Sequence, residues 1–518
     1  MITPPESYSA LSAALAQNPH LTSLPSPSPT VLAPESLTHE TATAELLRLP
    51  EVQASIVGDF LLLPCDLICS LPGEMFLETW MGSQGGFGGT DEPKRAGLGA
   101  GQMGRQRGGL SVWYSTVDRE ESMKGEECDF CATAKVEQQY EIPLSRNQPD
   151  SRSSRGILRK LLWAMPMSTL KDDCDENRDH LWHIRSSLLA KYGSVKCLTR
   201  FRDAHIYLFP CWVKDFARLN AEFESVGEDL VGTWAKMDWR KPSYRARFHA
   251  KEVFWRARRS SARAEPDEVP IEEEIDLMSL SSTQVSRHRE PIADIKSPVT
   301  LASRVTLVQE EKALTPDDTS PEHDIVESGP EFPPMLAYIH SSDPSSPLIR
   351  RIDSTPLLLS ISLLLAKLPG LDDPLIDRKH SSPFSHASKI STSATIASRT
   401  TISKSDVLIG DNAMVSEKCV IKESVIGAAA SVGTGCRITR CLIMDGATLG
   451  ERCTLTDCVV GKKAMVGKNS TLQKCEVQDA NMVPEKTEGK DEKYLVGGLE
   501  DEVDGDEALS FDDDDKGS

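Results

Sequence analysis

Aliphatic residues recur near the carboxyl end of the chain in steps of six, six and five residues, which gives a period of 17. Three short flat segments per repeat suit a triangular coil, in which each segment directs one aliphatic side chain inward and stacks on its equivalent one turn away. The pattern therefore predicts a left-handed parallel β-helix of hexapeptide repeats over residues 388–486. Its predicted core residues are Ile409, Val415, Ile421, Ile426, Val432, Ile438, Ile443, Leu449, Leu455, Val460, Val466 and Leu472.

A second row of positions, two residues before each aliphatic residue, holds only small side chains. Its members are Ala413, Cys419, Ser424, Ala430, Cys436, Cys441, Ala447, Cys453, Cys458, Ala464, Ser470 and Cys475. We interpret these six cysteines as small buried core residues and not as a metal site or a disulfide framework. Cys128 and Cys131 form a lone C-x-x-C pair without the second pair that a zinc site needs. Glycines such as Gly410 and Gly427 follow several of the aliphatic residues, and we expect them to adopt positive φ at tight corners.

Upstream, short apolar runs alternate with segments of helical pattern, which favours an α/β layer domain. The run from Ile56 to Ile68 is apolar on both faces. Such a run predicts a central strand of a parallel sheet, with Asp66 near its carboxyl end, where open α/β sheets bind ligands. The remaining predicted strands and helices lie at residues 110–116, 207–209 and 335–339 and at residues 43–49, 188–192, 212–219 and 356–368.

Two segments interrupt this domain. Residues 82–109 hold 11 glycines and include a G-x-G-x-x-G match at Gly99–Gly104, but glycine and charge flank it where a strand and a helix are needed. We interpret this segment as a flexible insertion, with weak RNA or phosphate contact as the alternative. Residues 258–330 are rich in serine, proline and acidic residues, which predicts a disordered insertion. The α/β domain then comprises residues 1–257 and 331–380.

The net charge of −20 is concentrated at the carboxyl end, where residues 491–518 hold 12 acidic residues against two lysines. We therefore expect residues 487–518 to form an acidic disordered tail, which either docks on a basic partner or contributes solubility. The run Asp512–Lys516 before the final Gly-Ser also resembles a protease-cleavage tag. The sequence shows neither a secretory signal nor an apolar run near the roughly 20 residues that span a bilayer, so we expect a cytosolic protein.

Several blocks of the sequence resemble one family in their order and content. Asp59-Phe-Leu-Leu-Leu-Pro-Cys-Asp-Leu-Ile68, Arg202-Asp-Ala-His-Ile-Tyr-Leu-Phe-Pro210, Ser225–Leu230 with Trp234-Ala-Lys236, and Ile402–Gly410 resemble the gamma subunits of eukaryotic translation initiation factor 2B. The β-helix run from Ile426 to Gly446 is similar too. The resemblance implies a nucleotidyltransferase-like, Rossmann-like α/β domain, here N-terminally incomplete, that is followed by the β-helix.

The resemblance also implies a function. Members of the family belong to the guanine-nucleotide exchange factor that reloads initiation factor 2 with GTP, and the epsilon subunit carries the exchange activity on an additional helical domain. The acidic tail of this chain, with the aromatic residues Tyr494 and Phe511, fits gamma better than epsilon. The implied partners are the other subunits of initiation factor 2B, above all epsilon, and initiation factor 2, directly or through the complex. No cofactor, membrane or nucleic-acid partner is expected.

The alternative function is a sugar-phosphate nucleotidyltransferase that makes a nucleotide sugar. This chemistry needs a glycine-rich loop, a basic residue and carboxylates that hold magnesium. The chain begins at what resembles a strand well inside the family domain, so the first strand, the glycine loop and its arginine are not found. The resemblance places Asp66 where active relatives bind the metal, and the further pocket candidates are Asp203, His205, Glu228 and Asp229. We expect a vestigial pocket without metal and a non-catalytic scaffold.

Overall fold

The structure is a computed structural model. It describes residues 1–17, 29–38, 40–83, 108–136, 156–250, 252–253, 332–343, 346–371, 382, 384–403 and 405–495. The expectations for the core of the glycine-rich segment, for residues 258–330 and for the tail after residue 495 concern residues outside these ranges.

The described part of the α/β domain contains eight strands. They are β1 (Phe60–Leu62), β2 (Leu67–Cys69), β3 (Gly109–Ser115), β4 (Asp129–Ala134), β5 (Ile157–Pro166), β6 (Val195–Phe209), β7 (Met335–Ile339) and β8 (Ile349–Arg351). Six of them form one sheet in the order β1-β6-β3-β7-β5-β4, and the long strand β6 also pairs with β4. β3 and β7 run parallel, the other pairs in this sheet are antiparallel, and β2 pairs separately with β8.

Helices accompany this sheet. They are α1 (Tyr8–Gln17), α2 (Thr43–Leu46), α3 (Pro50–Ser55), α4 (Gly73–Ser83), α5 (Met167–Glu176), α6 (Ser186–Tyr192), α7 (Trp212–Leu219), a π-helical turn (Val226–Val231), α8 (Gly232–Met237), α9 (Pro242–Arg247) and α10 (Thr355–Lys367), after a 3-10 turn at Pro5–Ser7. The predicted helices at residues 188–192, 212–219 and 356–368 are thus found, with ends shifted by at most two residues. The prediction at residues 43–49 corresponds to the shorter helix α2.

The sheet lies between two apolar layers because alternate residues of β6 face opposite sides. Ile206 packs with α4 on one side. Tyr207 and Phe209 pack on the other side with α7, the π-helical turn and α8. In α7 the buried positions are Trp212, Val213, Phe216 and Ala217, which form one face of a helix. This second layer holds the larger cluster of aromatic side chains.

The predicted central strand at Ile56–Ile68 is wrong. The run is divided into β1 and β2, and β1 lies at an edge of the six-stranded sheet, antiparallel to β6. Leu61 and Leu63 are exposed, and Val57 is 89% exposed. The run is interrupted because Pro64, which cannot donate to a strand ladder, lies between the two strands. Apolar content on both faces was therefore not enough to place this strand in the middle of the sheet.

The β-helix consists of 18 two- or three-residue strands in the described part of the chain. They are β9 (Thr395–Ile396), β10 (Thr401–Ile402), β11 (Leu408–Ile409), β12 (Met414–Val415), β13 (Val420–Lys422), β14 (Val425–Ile426), β15 (Ser431–Val432), β16 (Arg437–Thr439), β17 (Leu442–Ile443), β18 (Thr448–Leu449), β19 (Thr454–Thr456), β20 (Val459–Val460), β21 (Met465–Val466), β22 (Thr471–Gln473), β23 (Glu476–Val477), β24 (Met482–Val483), β25 (Glu488–Lys490) and β26 (Lys493–Tyr494). They form three parallel six-stranded sheets, one for each side of the coil. The predicted solenoid is confirmed, and its last two strands lie beyond the predicted boundary at residue 486.

The residues predicted for the core of the β-helix are buried. Each of the 12 core residues named from the sequence is at most 3% exposed, and each pairs with its equivalent 17 residues away, as Ile421 does with Ile438. The six ladder cysteines are reduced and buried. Their thiols stay within the ladder, where Sγ of Cys441 accepts the backbone N–H of Cys458 at 3.5 Å and Sγ of Cys436 donates to the carbonyl of Gly450 at 3.0 Å.

The prediction that glycines such as Gly410 and Gly427 adopt positive φ is wrong. Positive φ occurs instead at residues such as Asn412, Lys418 and Gly435, two or three positions after the buried aliphatic residue. Gly427 and Gly467 are needed because adjacent coils approach closely. A Cβ atom at Gly467 would lie 2.5 Å from the backbone nitrogen of Glu485 in the next coil, a distance that no packed carbon tolerates.

Helix α10 joins the α/β domain to the β-helix. Leu359 and Leu363 on this helix pack against the outward-facing residues Leu442 and Val459 of the solenoid. Lys389, just before the first coil, donates from Nζ to the carbonyl of Ala366 at 2.8 Å, near the end of the helix. A cation at this position stabilises the carboxyl end of a helix.

Candidate functional site

The candidate pocket residues of β6 lie at a β-bulge. Ser111 of β3 pairs with Tyr207 and Trp113 pairs with Asp203, so three residues of β6 oppose one residue of β3. His205, at the centre of this bulge, has a φ of 52°, in the left-handed region. Asp203, His205 and Tyr207 are therefore neighbours, and the imidazole of His205 stacks on the ring of Tyr207 at 5.8 Å between centroids.

Asp203 is buried among hydrogen-bond donors. Its carboxylate accepts the hydroxyl of Tyr207 and, at 3.0 Å, the backbone N–H of His205. Its own backbone N–H donates to Oδ2 of Asp129 at 2.8 Å. Burial raises the pKa of Asp203 to about 7, while the bond from Tyr207 lowers it and the charge of Asp129 raises it. The carboxyl group of Asp203 is therefore protonated in part near neutral pH.

Asp66 is held by an arginine. Nη2 and Nε of Arg351 donate to Oδ2 of Asp66 at 3.0 and 3.2 Å. Nη1 of Arg351 also lies 3.2 Å from Nε2 of His205, which must act as the acceptor because a guanidinium only donates. Burial first, and then Arg351, lowers the pKa of His205 to about 4. At neutral pH the imidazole is uncharged, and Arg351 joins Asp66 to the bulge of β6.

Glu228 and Asp229 lie on the adjoining π-helical turn, and Asp229 organises its start together with Ser225. Oδ2 of Asp229 accepts the backbone N–H groups of Glu224 and Ser225, and Oγ of Ser225 accepts those of Glu228 and Asp229 at 3.1 Å. This reciprocal capping satisfies donors that the first turn leaves unpaired. Burial, and then the charge of Asp229, raises the pKa of Glu228.

The π-helical turn packs against the bulge of β6 at Gly227. A Cβ atom at this position would lie 3.1 Å from the hydroxyl of Tyr207 and 3.5 Å from Nε2 of His205. The structure thus brings Asp66, Asp203 and His205 together around Arg351. Asp229 lies beside this cluster as a capping residue and Glu228 as a residue whose backbone N–H is capped by Ser225, without a hydrogen bond to the cluster among those found in the described residues.

Sequence reasoning missed the basic residues of the cluster. Arg351 lies on β8, which pairs with β2, and no motif spacing links it to Asp66. Arg202 is nearly buried and donates to Asp353 and, at 3.3 Å, to Glu127. The available signal was the pair Arg350–Arg351 in an otherwise apolar stretch, because charged residues at the end of a strand are either paired or functional.

A metal site is not formed by the residues in the described ranges. They contain no group of three or more histidine, cysteine, aspartate or glutamate side chains placed to hold a metal ion. In the C-x-x-C pair, Cys131 is buried in the core of the sheet, whereas Cys128 donates to the carbonyl of Glu126 at 3.4 Å. None of the helices in those ranges is long and apolar enough to cross a membrane.

Comparison with known proteins identifies the type of the β-helix. The family model for the LbH (left-handed β-helix) domain of the EIF2B epsilon subunit matches residues 385–488. These residues therefore form an EIF2B-type hexapeptide-repeat domain. The family model covers less than half of the chain. No curated protein matches the chain.

Solved structures match only part of the chain. A mutant of GDP-perosamine N-acetyltransferase from Caulobacter crescentus is 19% identical over 20% of this chain and 51% of its own, with a TM-score of 0.13. The acetyltransferase domain of PglB from Neisseria gonorrhoeae is 18% identical over 19% and 52%, with a TM-score of 0.14. The N-acyltransferase AntD from Bacillus cereus is 14% identical over 21% and 71%, with a TM-score of 0.14. The chain spans about half the length of the first two.

Proposed function

We propose that this chain is a non-catalytic, gamma-type subunit of the guanine-nucleotide exchange factor that reloads translation initiation factor 2 with GTP. The observation that carries the proposal is the match of residues 385–488 to the EIF2B-type β-helix. Further support comes from the sequence blocks Asp59–Ile68 and Arg202–Pro210, which resemble the gamma subunits. In this role the chain acts in the cytosol, pairs with the epsilon subunit and supports the exchange that epsilon catalyses.

The Asp66–Arg351 pair supports a scaffold role. A nucleotidyltransferase needs the carboxylate of Asp66 to bind magnesium, with oxygens free to coordinate the cation. In this chain the guanidinium of Arg351 donates to that carboxylate at 3.0 Å. A metal ion would have to displace the arginine and would then leave its charge unpaired beside His205. The same three side chains therefore serve to hold β2, β6 and β8 together.

The proposal is tested with the tagged full-length chain recovered from gentle lysates of its own source. We expect mass spectrometry to find, in near-equal amounts, a larger subunit with the same two-domain layout and a helical carboxyl-terminal domain, together with subunits of initiation factor 2. The tag alone is the control. Adding the chain to its partner should accelerate release of GDP from initiation factor 2. Recovery as a free monomer would contradict the proposal.

A second assay distinguishes the scaffold from the enzyme. The intact chain is incubated with nucleoside triphosphates, sugar phosphates and magnesium, and release of pyrophosphate is measured. We expect no release above that of the Asp66→Asn variant. Turnover that Asp66→Asn abolishes would overturn the non-catalytic assignment and would favour a sugar-phosphate nucleotidyltransferase.

A further inference from the structure

Two basic side chains outside the Asp66–Arg351 cluster pack against one aromatic surface. Nζ of Lys236 lies 4.6 Å from the ring centroid of Trp163, and Cζ of Arg240 lies 5.7 Å from the same centroid and 5.1 Å from that of Trp239. Trp163 and Trp239 stack on each other at 5.5 Å. Cations over tryptophan faces are held in place by the ring quadrupole, so these two side chains occupy defined positions.

These cations have no carboxylate partner among the residues that the structure describes. Within the described ranges, neither Lys236 nor Arg240 nor the neighbouring Arg185 forms an ion pair. Asp238 lies between Lys236 and Arg240 in the sequence, but its carboxylate is bound by Lys160 at 2.6 Å and by Lys191 at 2.9 Å. Like charges four residues apart repel each other, so the arrangement is unfavourable without an anion.

The surroundings of Lys236 and Arg240 offer few hydrogen-bond acceptors. Nε1 of Trp163 and Nε of Arg240 are buried donors with no hydrogen-bond partner among the described residues. Burial first, and then the charge of Arg240, lowers the pKa of Lys236 to about 8, although Glu228 and Asp173 act in the opposite direction. Burial and then Arg185 lower the pKa of Arg240. Two positive side chains and two unpaired N–H donors thus meet over the same tryptophan rings, with the charge of Arg185 near enough to act on Arg240, in a chain whose net charge is −20.

We propose that Lys236, Arg240 and Arg185 form a phosphate-binding site. A guanidinium offers two parallel N–H donors to phosphate oxygens, and an ammonium adds a compact charge from another direction. A phosphate or diphosphate presents enough oxygens and negative charge for three cations, which a single carboxylate does not. The ligand is therefore a phosphate or diphosphate group, either free or carried by a nucleotide.

The test is a titration of the full-length chain with pyrophosphate at low ionic strength, by calorimetry and tryptophan fluorescence. We expect saturable binding that changes the emission, because Trp163 and Trp239 lie directly under the cations. The double variant Lys236→Gln/Arg240→Gln should bind at least tenfold more weakly. The control is Arg437→Gln/Lys462→Gln, which removes the same charge from exposed positions of the β-helix and should bind as the unaltered chain does.

Folding is checked separately with circular dichroism and the thermal midpoint. Arg185→Gln changes an exposed side chain, so it should keep the fold and weaken binding several-fold even if the double variant unfolds. Equal binding of ATP and pyrophosphate would assign the affinity to the phosphate groups. ATP binding without pyrophosphate binding, unaltered pyrophosphate affinity in the folded Arg185→Gln and double variants, or no saturable binding by the unaltered chain would each overturn the proposal.

Discussion

The β-helix and the α/β domain differ in how far along the chain their contacts reach. In the β-helix, Ile421 packs beside Ile438, 17 residues away, and the same spacing is repeated from coil to coil. In the α/β domain, Leu110 of β3 pairs with Leu336 of β7, on the far side of the acidic segment at residues 258–330. The first kind of contact recurs at fixed spacing in the sequence, whereas the second has no counterpart in the local pattern.

This difference explains which predictions were successful. A solenoid places residues of the same type on one another, so a period of 17 specifies strands, core and register together. The order of strands in a mixed sheet depends on pairings that hydrophobic content does not specify. The two regions also differ in their charges. The α/β domain buries some of its ion pairs, such as Arg350–Glu126, whereas the ion pairs found in the described β-helix are accessible to solvent. This contrast leads to the largest effect that we predict.

We expect Arg350→Met to lower the free energy of unfolding of the α/β domain by about 4 kcal/mol, because removing one partner leaves a buried charge unpaired. Arg350 is fully buried and lies 3.1 Å from Glu126 and 3.4 Å from Glu121. Denaturation followed by tryptophan fluorescence reports on this domain, since all eight tryptophans precede residue 256. The control is Arg440→Gln in the β-helix, followed by circular dichroism because that domain has no tryptophan; its solvent-accessible pair with Asp457 should contribute less than about 1 kcal/mol. Similar losses in both variants would contradict the contrast.

The buried carboxyl of Asp203 predicts a pH effect. Its pKa of about 7 in the fold lies above the roughly 3.9 of an unfolded aspartate, so the protonated group stabilises the fold fully below about pH 4. This contribution is lost as the pH rises through 7. His205, whose pKa is about 4, acts in the opposite direction between about pH 4 and 6.5. The effect is therefore measured as a difference between two proteins.

Asp203→Asn removes the titration but keeps an acceptor for the hydroxyl of Tyr207. Relative to the unaltered chain, this variant should gain on the order of 3 kcal/mol of stability between pH 4 and pH 8. Urea denaturation at several pH values, followed by tryptophan fluorescence, measures it. Parallel stability curves for the two proteins would show that Asp203 is already ionised in the fold at low pH.

Two glycines of the β-helix test two different reasons for having glycine in a coil. At Gly467 the next coil lies too close for a side chain, and at Gly435 the backbone has a positive φ. Gly467→Ala should cost about 2 kcal/mol, because the added carbon would overlap the backbone of the next coil. Gly435→Ala should cost about 1 kcal/mol, because Gly435 has a φ of 76° and the nearest atom would lie 3.7 Å away. Thermal unfolding followed by circular dichroism measures both. A larger loss at Gly435 would restore positive φ as the main requirement.

The candidate site was only partly predictable. The order of the sequence blocks led to Asp66, Asp203 and His205, which the structure brings together. The residue that joins them, Arg351, was missed because it lies on a strand that reaches Asp66 only through the β2–β8 pairing. The bulge at His205 was missed as well, since it arises from a register shift between β3 and β6 and not from a residue that favours bulges. Both omissions concern contacts between distant parts of the chain.

The smallest effect that we predict tests the strand that the sequence placed wrongly. Leu61 of β1 pairs with Leu208 of β6, but Leu61 is 45% exposed at the sheet edge and Leu208 is 2% exposed. Leu61→Thr should therefore change the free energy of unfolding by less than about 0.5 kcal/mol. Leu208→Thr, the matched control, should cost about 3 kcal/mol, because it removes buried methyl groups and leaves a hydroxyl in the core. Equal losses, measured by urea denaturation and tryptophan fluorescence, would mean that β1 is covered on both sides, as a central strand would be.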